Sequence, residues 1–482
     1  MGKLERKLSS SQMIILGFAA VILLGALLLM LPVSSKSGEI TPFLDCLLTS
    51  TSAVCVTGLV VYDTAAHWTV FGQAIIIVLI QIGGMGVITV AAAITMAAGK
   101  KISLMQRSTM QDAISAPQVG GIVRFTGFIL KGIVIIELLG AAIMAPVFIG
   151  DYGFGEGLWM AVFHSISAFC NAGFDIVNDG ILFNSLMGYA ANPIINLAIM
   201  LLIIIGGLGF LTWSDICTNG IDIKRYHMQS KVILTVTSGL ILVPTVYFFF
   251  FELVHLPFAE RFWGALFQAV TPRTAGFNTV DLNAMSETGQ MITSLLMIIG
   301  GAPGSTAGGM KVTTFAVMIS VAAAVFQKRQ NGCFFRRRID DDTVKNAATV
   351  FFMYISLFLL GGIAISKLEN LPLVTCLYES ASAGWHSRVD TGYHTGTWSY
   401  KQTDSDCTDV HWQSWWADVN LRYTASNKKH IIKTPCRENL GRLRTRRFCY
   451  EIGIIDWSWT IWQVYCYEAA HYGTSGYGSR YQ

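Results

Sequence analysis

Residues 169–174 read FCNAGF, and they close an apolar stretch of helix length. The arrangement recurs: an apolar segment, a short polar re-entry ending in a glycine, then a second long apolar segment. Around residue 58 it reads TSAVCVTGLVVYDT, around 173 SAFCNAGFDIV and around 276 TPRTAGFNTV. A fourth copy opens at Glu379 as ESASA and does not reach its glycine. The chain reads as four copies of one unit, the last incomplete.

Composition places these units in a bilayer. The 482 residues are 53% hydrophobic and 13% charged, against about 25% charged in a soluble domain. Apolar runs at 13–32, 71–98, 132–149, 194–213, 232–253, 291–300 and 350–365 mostly approach the ~20 residues that cross a hydrocarbon core. They are too many for one buried domain, so the expected fold is an all-α polytopic membrane protein. The run at 13–32 is read as the first span and not as a lone signal anchor, because further spans follow at once. None of the ten cysteines forms a two-residue-spaced pair, so neither a zinc knuckle nor a redox pair is indicated. No nucleophile–base pair or phosphate-cradling loop points to an enzyme.

Charge gives the orientation. Lys3, Arg6, Lys7, Lys100, Lys101, Arg107, Lys224, Arg225, Lys231, Lys328, Arg329, Arg336, Arg337, Arg338 and Lys345 lie before or between the units. The glycine-bearing segments hold only Lys36, Arg261 and Arg273. By the positive-inside bias the N-terminus and between-unit loops are cytoplasmic, and the glycine segments open outward. The basic run at 336–338 is read as a solvated loop and not as a nucleic-acid contact.

In order, the expected divisions are 10–100, 120–216 and 229–327 for the first three units, 343–383 for the start of the fourth, and 384–482 for an aberrant tail. Stretches such as 41–53 and 158–169 are too short to span, so they enter from one side and turn back. Such backbone is tolerated where protein shields it or where it lines water. A glycine at the end of such a re-entry reaches backbone angles closed to other residues, so successive carbonyls can turn toward an axis and replace a cation's hydration shell. The candidate ion-filter residues are Val56, Thr57 and Gly58; Asn171, Ala172 and Gly173; Thr274, Ala275 and Gly276. Side chains of Thr57, Asn171 and Thr274 are read either as extra oxygen ligands or as helix caps.

The third return span is interrupted by Gly300, Gly301, Ala302, Pro303, Gly304, Ser305, Thr306, Ala307, Gly308 and Gly309. Glycine and proline at this density break a helix, and a broken backbone at membrane depth belongs beside a water-filled path. The segment is read as a gate, with Lys311 either holding it or snorkelling. Among intramembrane ionisable groups, Glu137 is read as a basic residue's partner or a cation attractor. Glu252 is read as solvated near a span end, and His164 as a packed core histidine.

The motifs TSAVCVTGL, QIGGMGVIT, SAFCNAG, IIIGGLGFL, TPRTAGFNT and GGAPGSTAGGMKVTT resemble the Trk/Ktr/HKT superfamily of potassium transporters, most of all the membrane subunit of bacterial Ktr systems. The likeness covers residues 10–383. It implies four helix–pore loop–helix repeats around a pseudo-fourfold axis, with a single potassium path. It assigns Gly58, Gly173 and Gly276 to the filter and 300–309 to the gating loop. It also implies a homodimer in the cell membrane on a cytoplasmic ring of nucleotide-binding subunits, often with sodium dependence, with potassium as substrate and no covalently bound cofactor.

After Ala383 the character changes. Eight of the twelve tryptophans fall in the last 99 residues, and no later stretch is apolar enough to span. Tryptophan has the single codon TGG. Reading residues 385–390 as TGG CAC AGT CGG GTT GAC and shifting by one nucleotide yields GTVGLT, the expected fourth filter. Continuing the shift through 401–421 allows NRLIVIVLMFIGRVGGPTLT, a closing span. The tail is therefore read as a frameshifted translation with one extra nucleotide near codon 384, leaving a chain of impaired activity. A shifted reading of IIDWSWTIWQ as LIGRGRFGR further suggests a following gene for the nucleotide-binding partner.

Overall fold

In the computed structural model, which describes residues 10–97, 107, 121–178, 180, 183–282, 284–329, 331–335 and 337–384, the chain is helical apart from one short hairpin. That hairpin pairs β1 (Cys333–Phe334) with β2 (Arg337–Arg338). The tail beyond 384, the basic N-terminal residues 3–7 and the Lys100–Lys101 pair lie outside the described residues.

The first unit comprises α1 (Ser10–Leu29), α2 (Phe43–Cys55), α3 (Thr64–His67), α4 (Val70–Met85) and α5 (Val87–Ala97). The second comprises α6 (Ile122–Tyr152), α7 (Phe154–Phe169), α8 (Pro193–Gly207) and α9 (Phe210–Asn219). The third has α10 (Met228–Tyr247), α11 (Phe258–Val270), α12 (Glu287–Ile298) and α13 (Val312–Phe326); then come α14 (Asp341–Glu369) and α15 (Leu373–Gly384). Helices α2, α11 and α15 have 13, 13 and 12 residues, so at about 1.5 Å per residue they reach only some two thirds of the way across a ~30 Å core.

Each return helix starts on a side-chain cap. Thr69 accepts from Gly72 N, Asn192 from Ile194 and Ile195 N, and Ser286 from Gly289 N. These polar residues satisfy backbone donors that an apolar helix cannot, so the chain turns back into the bilayer at those points. Glu252, solvent-accessible near the end of its span, accepts from the backbone N and the hydroxyl of Ser286 (2.5 and 2.8 Å) at the start of α12.

One contact joins entering helix to re-entrant helix in three units. Ser50 Oγ donates to Ile22 O (2.8 Å), Ser165 Oγ to Glu137 O (2.6 Å) and Ser380 Oγ to Phe358 O (3.2 Å). Three residues beyond each carbonyl stands a glycine (Gly25, Gly140, Gly361), where a Cβ would run into the serine hydroxyl. The third unit has Gln268 at the serine position, and its Nε2 points to Met285 Sδ (3.8 Å).

Around this frame the core holds Trp68, Phe148, Phe163, Phe169, Phe174, Phe267 and Phe277, all fully buried. Outward the surface is equally apolar, with Leu24, Leu138, Val243, Phe251 and Phe258 exposed. Among the described residues three helical spans, 122–152, 228–252 and 341–368, are long and apolar enough to cross a membrane, and α8 with α9, bent by 100°, makes a fourth when the pair is taken as one span. A molecule apolar both inside and out belongs in lipid.

The return spans differ from the sequence expectation. Residues 71–98 and 194–213 read as unbroken, yet α4 stops at Gly86 (φ 79°) and α8 gives way to α9 at Gly209 (φ 82°). Both glycines occupy backbone angles that L side chains rarely adopt. All three return spans are therefore broken at a related place, not only the third.

Candidate functional site

The three re-entrant helices end in one backbone signature. Val56 and Gly58 have φ of 58° and 77°, Asn171 and Gly173 59° and 69°, Thr274 and Gly276 71° and 82°. Two left-handed residues separated by one ordinary residue turn consecutive carbonyls the same way, whereas an extended strand would alternate them. The glycine meets the second demand without strain. The first falls on Val, Asn and Thr, which carry a real cost there.

The last turn of each re-entrant helix clamps the signature. Thr57 N donates to Ser52 O (2.9 Å) and Ala172 N to Ser167 O (2.8 Å). In the third unit Ala275 N donates to Thr271 O (3.0 Å). Ser167 Oγ donates to Phe174 O (2.7 Å) and Thr271 Oγ1 to Phe277 O (2.6 Å), tying back the residue after each glycine. Two of the turns lie side by side: a Cβ on Gly173 would stand 2.6 Å from Ala275 O and 3.1 Å from Gly276 Cα. Thr57 Oγ1 donates to Ser52 Oγ (2.7 Å) and more weakly to Ser52 O (3.4 Å), on the last turn of its helix.

Beneath the turns, residues 300–310 fold back on themselves. Gly300 N donates to Met310 O (2.9 Å) and Gly301 N to Gly308 O (3.3 Å). The loop docks on the α8–α9 break through Ala302 N to Gly207 O (2.9 Å), Thr306 N to Gly206 O (3.2 Å) and Phe210 N to Gly304 O (2.8 Å). Thr306 Oγ1 donates to Phe169 O (2.9 Å) and accepts from Asn171 Nδ2 (2.8 Å), so one hydroxyl joins the loop to the second turn. Ser305 Oγ donates to Ala302 O (2.6 Å), and Lys311 is buried with its Nζ on Ala307 O (2.8 Å). Lys311 thus holds the loop and does not snorkel.

A family profile of the TrkH cation transport proteins matches residues 5–384. The chain belongs to that family. Among TrkH relatives, it is 39% identical over 375 residues to the potassium/sodium uptake protein NtpJ of Enterococcus hirae, spanning 77% of this chain and 82% of that one. It is 38% identical to the Ktr system potassium uptake protein B of Bacillus subtilis, over 77% and 83% of the two chains. The fold matches the crystal structure of the potassium transporter TrkH from Vibrio parahaemolyticus with a TM-score of 0.59 at 20% identity, covering 78% and 76%. The chain is a multi-pass membrane protein of a cation transport family, not an enzyme, and its membrane-spanning architecture is that of TrkH.

Several residues around these turns went unread in the sequence. Arg273, counted there among outward basic residues, is buried with Nη2 toward Gly300 O (3.5 Å). Thr306 looked like any loop threonine. Gly83, Gly206 and Gly300 each begin a Gly-Gly pair, and that repetition was the available signal. Glu137 has no basic partner among the described residues; Gln81 Nε2 donates to it (3.2 Å). His164 is the packed core residue expected, fully buried between Phe148 and Phe277, its Nδ1 on Met160 O (2.8 Å).

Proposed function

We propose that this chain is the ion-conducting subunit of a potassium uptake system, with Val56–Gly58, Asn171–Gly173 and Thr274–Gly276 as three quadrants of a carbonyl filter around a pseudo-fourfold axis. The loop from Gly300 to Gly309, with Lys311, is its gate. The observation carrying this reading is the pair of left-handed residues at i and i+2 in all three turns. A flexible ring of such carbonyls can take the place of water around a monovalent cation. The surroundings suit cations: segments 32–69, 150–192 and 252–290 carry eleven carboxylates against three basic residues, which concentrates cations at the mouth. An inside-negative potential adds about 2.3 kcal/mol per 100 mV for each charge entering. The names of NtpJ and Ktr protein B fit potassium as the ion, with sodium as companion. The Ktr likeness extends to a homodimer on a cytoplasmic nucleotide-binding ring, with the N-terminus inside the cell.

The fourth quadrant is encoded in a shifted frame. Ser50 and Ser165 precede their filter glycines by eight residues, and Ser380 makes the same contact with its entering helix. Eight residues beyond Ser380 is position 388, where the one-nucleotide shift reads glycine in GTVGLT. The family match also ends at 384. Removing one nucleotide near codon 384 gives a frame-restored chain, expected to carry rubidium into potassium-starved cells at several times the rate of the chain as written. Gly276→Ser in that background should lower rubidium-over-sodium preference by about tenfold, the loss of one well-placed polar ligand. Unchanged preference in radiotracer uptake contradicts the filter assignment.

A further inference from the structure

Glu137 is the sixteenth of the 31 residues of α6, which places its carboxyl near the middle of the span. It is 8% exposed. Oε2 accepts from Gln81 Nε2 (3.2 Å) on α4, while buried Oε1 has no hydrogen-bond partner. The helices packed on α6 bring no cation to it. Helices α4, α5 and α8 contain no charged residue in their described spans, and α7 contributes Glu156 at its far end and His164, whose ring nitrogens face Met160 O and Ile176 N. On α6 itself Arg124 and Lys131 stand more than a turn away, with Lys131 exposed. The Cys170 thiol reaches Glu137 through the Gln81 side chain. An unpaired charge at this depth is costly, and a carboxyl there keeps its proton instead.

Among the described residues this pairing exists at one seam only. At the place of Glu137 the first and fourth units have Ile22 and Phe358, each also carrying the carbonyl that receives the pore-helix serine. Ahead of the Gly-Gly pair, where the first unit has Gln81, the second and third have Ile204 and Ile298. Gln81 Oε1 in turn accepts from Cys170 Sγ (3.7 Å), and Cys170 is wedged against the α4 end, where a Cβ on Gly84 would stand 2.7 Å from its sulfur. Cys170 immediately precedes the left-handed Asn171.

Building on the filter reading, we propose that Glu137 is a proton-binding site at the seam between the first and second units, and that as a neutral acid it positions the Asn171–Gly173 turn through Gln81 and Cys170. The proton resides on Oε1, exchanges with solvent and is not consumed. Glu137→Gln copies the neutral acid, whereas Glu137→Leu and Gln81→Leu remove the link.

Infrared spectra of the full chain reconstituted in vesicles, recorded at neutral pH, should show a protonated-carboxyl band that Glu137→Gln removes. Identical spectra of the two proteins overturn proton occupancy. Rubidium uptake with competing sodium, measured in the frame-restored chain, should keep its preference within about twofold in Glu137→Gln and lose about tenfold in both leucine variants, one buried hydrogen bond being broken. Preference falling as far in Glu137→Gln as in Glu137→Leu shows that a charge is required and overturns the neutral acid. Unchanged preference in all three variants overturns the positioning role. Absence of rubidium uptake in the parent would instead sink the filter reading, and the infrared band still decides the proton site.

Discussion

The second and third return helices carry a glycine at the same place, Gly206 and Gly300, and pack it differently. In the second, a Cβ on Gly206 would collide with Phe169 O, the end of its own pore helix, and the same holds for Gly83 and Val54 O in the first. In the third, a Cβ on Gly300 would collide with Gly308 O, which belongs to the loop itself. The first two return helices thus lean directly on their pore helices, whereas the third has a loop interposed. Two units form fixed walls by backbone-to-backbone contact. The third holds a loop attached to the second unit by a small number of hydrogen bonds that can be removed one at a time.

The largest effect is expected where the wall contact is closest. Gly206→Ala forces backbone apart and should destabilise the protein by about 2–3 kcal/mol, read as a fall in thermal midpoint in detergent. Gly239→Ala, at a helical glycine with nothing within 4 Å of the added Cβ, should instead be neutral or stabilise by up to about 1 kcal/mol. Equal behaviour of the two would contradict the close backbone contact between Gly206 and Phe169 O. Deleting residues 302–307 from the frame-restored chain should raise rubidium flux, by up to about a hundredfold if the unobstructed state is a minor one near 1%; unchanged flux removes the gate.

Thr306→Val is expected to give a smaller gain, about tenfold, since two hydrogen bonds holding the loop to the second unit are lost. A flux in Thr306→Val equal to the parent would place the loop's hold in its main-chain bonds to Gly206 and Gly207 alone. Lys311→Met removes the bond to Ala307 O and should raise flux about fivefold. A larger gain than in Thr306→Val would reverse the order of the two attachments.

What the sequence revealed follows from which residues announce their backbone. Gly58, Gly173 and Gly276 stand out because glycine at the end of a short apolar stretch has few other uses, and the 300–309 segment because its glycines sit beside a proline. The other half of each turn was unreadable as left-handed at Val56 and Thr274, where nothing local favours that conformation and the clamp from the preceding helical turn imposes it, whereas Asn171 is of a type that tolerates it. Breaks at Gly86 and Gly209 were hidden for a similar reason, because a lone glycine in an apolar run is ordinarily tolerated within a helix. Thr306–Asn171 and Gln81–Glu137 join residues 135 and 56 positions apart, and no periodicity connects them. Ser380 shows the reverse: its role emerged only from the contact it shares with Ser50 and Ser165.

Carbonyl coordination at the turns is tested most directly by locating the ion. Thallium or rubidium, introduced into the frame-restored protein and found by anomalous scattering, should lie among the main-chain oxygens of Val56–Gly58, Asn171–Gly173 and Thr274–Gly276, and should be displaced by excess potassium but not by equal sodium. A heavy-ion peak elsewhere, with none among those oxygens, would contradict a filter at this place.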